Sequence, residues 1–121
     1  MESKKTLVLG ATEDPSRYAN LAINRLLSYG HEVVAIGKEK GAVKNVAIET
    51  EKLPFDAVDT VTLYLRPSNQ KEYLDYIIGL NPKRIIFNPG TENDELIDLA
   101  YKNGIEPIEG CTLVMLSTGQ Y

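Results

Sequence analysis

One cysteine and one histidine occur in 121 residues, and both scarcities exclude chemistry. A lone thiol, Cys111, cannot build an internal disulfide framework and fits a reducing compartment. One thiol and one imidazole, His31, leave no Cys/His cluster able to hold zinc. Long apolar runs are missing, so nothing has the length of a bilayer span. No apolar region of signal-peptide length follows Met1–Lys5, and the expected location is the cytoplasm. Positive charge is not in surplus. A net charge of -4 argues against a nucleic-acid surface but leaves room for a local basic pocket. Missing too are the later glycines of the G-x-G-x-x-G dinucleotide fingerprint. Gly10 can fill the first position, but Thr12 and Pro15 stand where glycines are needed.

What is present reads as a soluble globular chain. Hydrophobic residues make up 43% and charged residues 25%, which suits one domain over residues 1–121 with a buried core. Four apolar runs read as core strands: Thr6–Gly10, Glu32–Ile36, Thr60–Leu65 and Arg84–Phe87. A weaker one lies at Glu106–Ile108 and an edge piece at Val46–Ile48. The core runs are nearly continuous in Val, Leu and Ile, as in strands covered on both faces. Helical spacing lies between them. Tyr18, Ala22, Leu26 and Tyr29 form one such pattern, with Ala19, Ile23 and Leu27 beside it and Gly30 as its stop. Asn69 and Glu72 have capping-box spacing ahead of Tyr73, Ile77 and Leu80. Leu96, Ile97, Leu99 and Ala100 form a third apolar side, ended by Gly104. Alternating strands and helices of this length imply a doubly wound, mainly parallel sheet in a three-layer α/β/α arrangement. The stretch Gly37–Phe55 is too short and polar for a full crossover helix and has room for a lysine-bearing turn and a short edge strand.

In an open parallel sheet the ligand lies beyond the carboxyl ends of the strands. The residues just after each strand are therefore the site candidates: Gly10-Ala11-Thr12, Gly37-Lys38, Arg66-Pro67-Ser68, Asn88-Pro89-Gly90-Thr91 and Glu109-Gly110-Cys111. Glycine, proline and leading cations in these turns suit a phosphate-bearing ligand. Plainer readings stand beside each. Gly10 can serve only a tight turn, and Thr12 can cap local backbone. Arg17 opens a helix, where it faces either an anion or solvent. Lys38 belongs to the charged run Lys38-Glu39-Lys40, which suits a solvated turn. His31 starts the second strand, the wrong end of the sheet for chemistry, and reads as surface or structural. Cys111 has no histidine placed to activate it, and Leu113, Val114 and Met115 beside it suggest a buried thiol.

These strand-end residues are similar to those of the small stand-alone CoA-binding proteins, whose fold is that of the CoA-binding domain in the succinyl-CoA synthetase α subunit. The family's opening resembles Val8-Leu9-Gly10-Ala11-Thr12-Glu13-Asp14-Pro15-Ser16-Arg17, with G-A-T here for the usual G-A-S. The lysine-bearing turn after the second strand resembles Val33-Val34-Ala35-Ile36-Gly37-Lys38, where Ile36-Gly37 stands for Asn-Pro. Val58-Asp59, Arg66-Pro67 and Asn88-Pro89-Gly90 match further family positions, and Glu109-Gly110-Cys111 matches the C-terminal Asp-Arg-Cys in part. The resemblance spans nearly the whole chain. It implies a Rossmann-like domain binding CoA or an acyl-CoA through Gly10, Ala11, Thr12, Pro15, Arg17, Lys38, Arg66, Pro67, Asn88, Pro89 and Gly90. The synthetase's phosphorylated histidine belongs to another domain, so ligase chemistry is not implied.

The expected function is thus a non-catalytic binding or regulatory module for a small nucleotide ligand, with neither nucleic acid nor membrane as partner. The alternative is an NAD(P)-binding enzyme or redox sensor. Plain NAD wants an acidic residue at the end of the second strand. Lys38 is there instead, and a cation suits a ribose phosphate, as in CoA or NADP. A third reading is a subunit of a larger complex, docked through Leu113–Leu116.

Overall fold

A computed structural model describes residues 2–121. Seven strands form one sheet: β1 (Thr6–Ala11), β2 (Val33–Gly37), β3 (Gly41–Val43), β4 (Val46–Glu49), β5 (Thr60–Leu63), β6 (Arg84–Phe87) and β7 (Glu106–Glu109). Their order is β3-β4-β2-β1-β5-β6-β7. All pairings are parallel except β3 with β4, an antiparallel hairpin. The helices are α1 (Tyr18–Ser28), α2 (Pro67–Gln70), α3 (Leu74–Leu80), α4 (Asp94–Lys102) and α5 (Thr112–Ser117), with a 3₁₀ turn at Lys71–Tyr73.

Alternation along each strand builds two apolar layers. Val8, Ala35 and Ile86 pack on one face with Ala19, Ile23 and Leu26 of α1 and Leu116 of α5. Leu7, Leu9, Val61, Leu63, Ile85 and Phe87 pack on the other with Ile77 of α3 and Leu96 and Ala100 of α4. Both faces of the central strands are buried, which is why those runs carry so few polar residues. This is the Rossmann-like α/β/α architecture. The chain moves outward from β1 to β2 and β4, then returns to β5 on the other side of β1. The reversal of strand order opens a crevice above β1 and β5.

Several local expectations are corrected. The first run extends to Ala11, with a register break between Leu9 and Ala11. The third strand ends at Leu63, not Leu65; Tyr64 keeps one amide bond to the Leu9 carbonyl before the chain leaves the sheet. Asn69 caps nothing, because Pro67, whose fixed φ suits a first helical position, starts α2 two residues earlier with Arg66 as N-cap. Tyr18 is 71% exposed and Tyr29 also faces solvent; α1 buries Ala19, Ala22, Ile23 and Leu26 instead. The polar Gly37–Phe55 stretch yields the expected edge strand and also β3, folded back on it. Cys111 is half-buried, not buried, because it sits at the N-cap of α5, where Thr112 and Leu116 turn inward and Val114 is 56% exposed.

Candidate functional site

The crevice is a cleft of about 660 Å³ at the carboxyl ends of the strands, within the range of small-molecule sites. Its floor is the end of β1. Gly10 has φ +100°, a backbone conformation that favours glycine, and a Cβ there would stand 3.0 Å from the Tyr64 carbonyl. The following turn is held by its own polar groups. Thr12 Oγ1 accepts from the Asp14 amide at 3.2 Å, and the Thr12 carbonyl accepts from Asn20 Nδ2 at 3.0 Å. The Asp14 carboxylate accepts from the Ser16 hydroxyl at 2.7 Å and the Ser16 amide at 3.0 Å. These two bonds, hydroxyl first, hold its pKa below the ordinary value. Arg17 is the N-cap of α1, no side chain caps that helix, and its first turn carries no acid. The positive helix end thus meets no carboxylate within its own first turn, where Arg17, Tyr18 and Ala19 line the cleft.

The opposite wall comes from two turns tied by one buried side chain. Gln70 Nε2 donates to the Leu65 carbonyl at 2.7 Å and the Thr91 carbonyl at 2.8 Å, while its Oε1 accepts from Asn93 Nδ2 at 2.9 Å. This ties together the two turns that bring Arg66, Pro89, Gly90 and Thr91 to the cleft. Gly90 has φ +93° and its amide donates to Glu92 Oε1 at 2.9 Å. Four cations line the cleft, Arg17, Lys38, Lys40 and Arg66, with two carboxylates, Glu13 and Glu39. All six side chains are exposed. Tyr64 also lines it, yet its hydroxyl is buried and meets no hydrogen-bond partner among the described residues. Burial pushes that hydroxyl up to about 12, and the Thr112 and Thr62 hydroxyls bond each other at 2.7 Å.

Of the residues expected from sequence, Gly10, Ala11, Thr12, Arg17, Lys38, Arg66, Pro89 and Gly90 meet on this cleft. Pro15, Pro67 and Asn88 do not line it. Pro15 lies exposed in the first turn, and Pro67 is the first residue of α2. Asn88 points into the protein: Nδ2 donates to Thr62 Oγ1 at 2.7 Å and to the Leu63 carbonyl at 2.8 Å, and Oδ1 accepts from the Thr112 amide at 2.9 Å. Glu13, Tyr18, Tyr64, Leu65 and Asn69 also line the cleft, and none of them is among the expected site residues. Their only signal was adjacency to the strand-end turns.

The opposite end of the sheet holds His31. It is buried, accepts from the Lys4 amide on Nδ1 at 2.9 Å and stacks near the Tyr121 ring, which is a structural role. Among the described residues no His/Cys/Asp/Glu group could hold a metal ion, and no helix is long and apolar enough to cross a membrane.

Comparisons with known proteins agree with this architecture. No curated protein matches. A crystal structure of an uncharacterized protein is 54% identical over 100% of both chains, with a TM-score of 0.97. A hypothetical protein from Pyrococcus horikoshii OT3 shares 24% identity over 97% of this chain and 84% of that one, with a TM-score of 0.88. The dinucleotide forming acetyl-coenzyme A synthetase 1 of Ca. Korarchaeum cryptofilum shares 20% identity and a TM-score of 0.74; 88% of this chain matches 25% of that protein. The last two likenesses are of fold alone. The sequence profile of a CoA binding domain matches residues 4–117. On that match the chain belongs to the CoA-binding domain family.

Proposed function

We propose that the chain, acting as one unit over residues 1–121, binds CoA or an acyl-CoA in the strand-end cleft as a binding or regulatory module. The observation that carries this reading is the convergence of two positive-φ glycine turns, a helix start with no acid in its first turn and four cations on one cleft at the reversal of strand order. Gly10 and the start of α1 would receive a phosphate through backbone N–H groups. Arg66 and Arg17 would neutralise the charge of the diphosphate. Lys38 and Lys40 would serve the ribose-phosphate end, because the second strand conventionally lies on the adenosine side. The single half-buried thiol, Cys111, suits a reducing, cytoplasmic setting.

An NAD(P) ligand is the second reading, and Glu39 on the cleft favours it, since an acid after the second strand can hold ribose hydroxyls. Calorimetric titration with CoA, acetyl-CoA, NAD and NADP separates the two. CoA species should bind more tightly than either dinucleotide; tighter binding of NAD would remove the CoA reading.

A further inference from the structure

The three-residue turn Lys38-Glu39-Lys40 is bracketed by two glycines, the first paired with the last residue of β1 and the second lying against the turn that follows β1. A Cβ at Gly37 would stand 2.2 Å from the Ala11 carbonyl oxygen. A Cβ at Gly41 would stand 2.4 Å from Cδ of Glu13. The Glu13 side chain thus lies across the Gly41 backbone, and its Oε2 accepts from the Ala42 amide at 2.9 Å. That amide belongs to β3, the free edge of the sheet, where outward N–H groups have no further strand to pair with. One carboxylate therefore joins the first turn to the strand that directly follows both lysines.

We propose that Glu13 is a positioning residue: its carboxylate clamps the Lys38–Lys40 turn onto the first turn, so that the lysines discriminate a ligand bearing a ribose phosphate from one without it. The proposal rests on the CoA reading. It also makes a prediction of unusual sign. A carboxylate lining an anion site repels phosphate, so removal of charge alone should tighten binding. Loss of the clamp should do the opposite, because the lysines are then no longer held at one distance from the ligand.

The test compares Glu13→Ala with Glu13→Gln, whose side-chain carbonyl can still accept from the Ala42 amide. CoA and dephospho-CoA are titrated calorimetrically into each variant and into wild type. Glu13→Ala should weaken CoA roughly three- to tenfold, the scale of one exposed charge-assisted hydrogen bond, and leave dephospho-CoA nearly unchanged. Glu13→Gln should bind CoA as tightly as wild type or more so. Gly41→Ala should mimic Glu13→Ala by pushing the side chain aside, and should add nothing in the Glu13→Ala background. Identical behaviour of the Ala and Gln variants would overturn the clamp. Amide exchange at Ala42 separates this failure from that of the CoA reading. Wild type that binds neither ligand overturns the reading, whereas equally fast Ala42 exchange in wild type and Glu13→Ala overturns the clamp whatever the ligand.

Discussion

A side-chain carbon on Gly10 would stand 3.0 Å from both the carbonyl carbon and the carbonyl oxygen of Tyr64. With φ at +100°, two independent constraints exclude a side chain at this position. The glycine proposed to receive a phosphate is also the one that lets β1 and the exit of β5 lie side by side. Gly10→Ala is therefore expected to lose about 1–3 kcal/mol of stability, read by urea unfolding. Its folded fraction should also bind CoA more weakly. A folded variant with wild-type affinity would place the phosphate elsewhere.

Asn88 supports the cleft from beneath. Removing its side chain leaves the Thr112 amide and the Leu63 carbonyl without these partners and leaves the Thr62 hydroxyl with the Thr112 hydroxyl alone. Asn88→Ala should destabilise the fold by about 2–4 kcal/mol, because buried unsatisfied groups are penalised individually. Affinity measured well below the unfolding transition should change little. A loss of CoA affinity in a variant of unchanged stability would mean that this amide touches the ligand.

The cations differ in what they should read. Arg66 is the N-cap of α2 and lines the crevice, while Lys38 follows the second strand. Arg66→Ala should weaken CoA and dephospho-CoA about equally, by roughly ten- to a hundredfold before solvent screening reduces it. Lys38→Ala should weaken CoA more than dephospho-CoA. Equal losses for both ligands in Lys38→Ala would show that this lysine does not face the ribose phosphate.

His31 contributes a pH dependence remote from the cleft. Burial first, then the Lys4 and Arg84 charges, lower its pKa from the ordinary 6.5. Just below pH 6.5 the unfolded chain then holds more protons than the folded one, so stability rises with pH there and declines on acidification. His31→Gln keeps an acceptor for the Lys4 amide and removes the titration. Its unfolding free energy should vary less with pH through this window; slopes equal to wild type would assign the dependence to other groups.

The sheet was legible in the sequence because burial on both faces leaves continuous apolar runs such as Val61–Leu63 and Ile85–Phe87. Most of the cleft was legible for the same reason: once the strands are placed, the residues after them must meet at one edge. Less legible was whatever depends on contacts across the chain. The three-residue β3 has no apolar run of its own and pairs only because β4 lies beside it. The inward turn of Asn88 depends on Thr62 and Thr112, distant in sequence. Tyr64 entered the cleft unannounced because β5 stops before it, at Leu63.

The most direct test of the central claim is an amide chemical-shift titration of the labelled protein with CoA. Binding in the strand-end cleft should give saturable shifts at Gly10, Ala11, Thr12, Ala19 and Gly90, which all line it. None is expected at Lys5, Glu32, Asp59 and Lys83, which line a smaller hollow of about 400 Å³ elsewhere. Saturable shifts confined to that second group, with Gly10 and Gly90 unmoved, would contradict the claim.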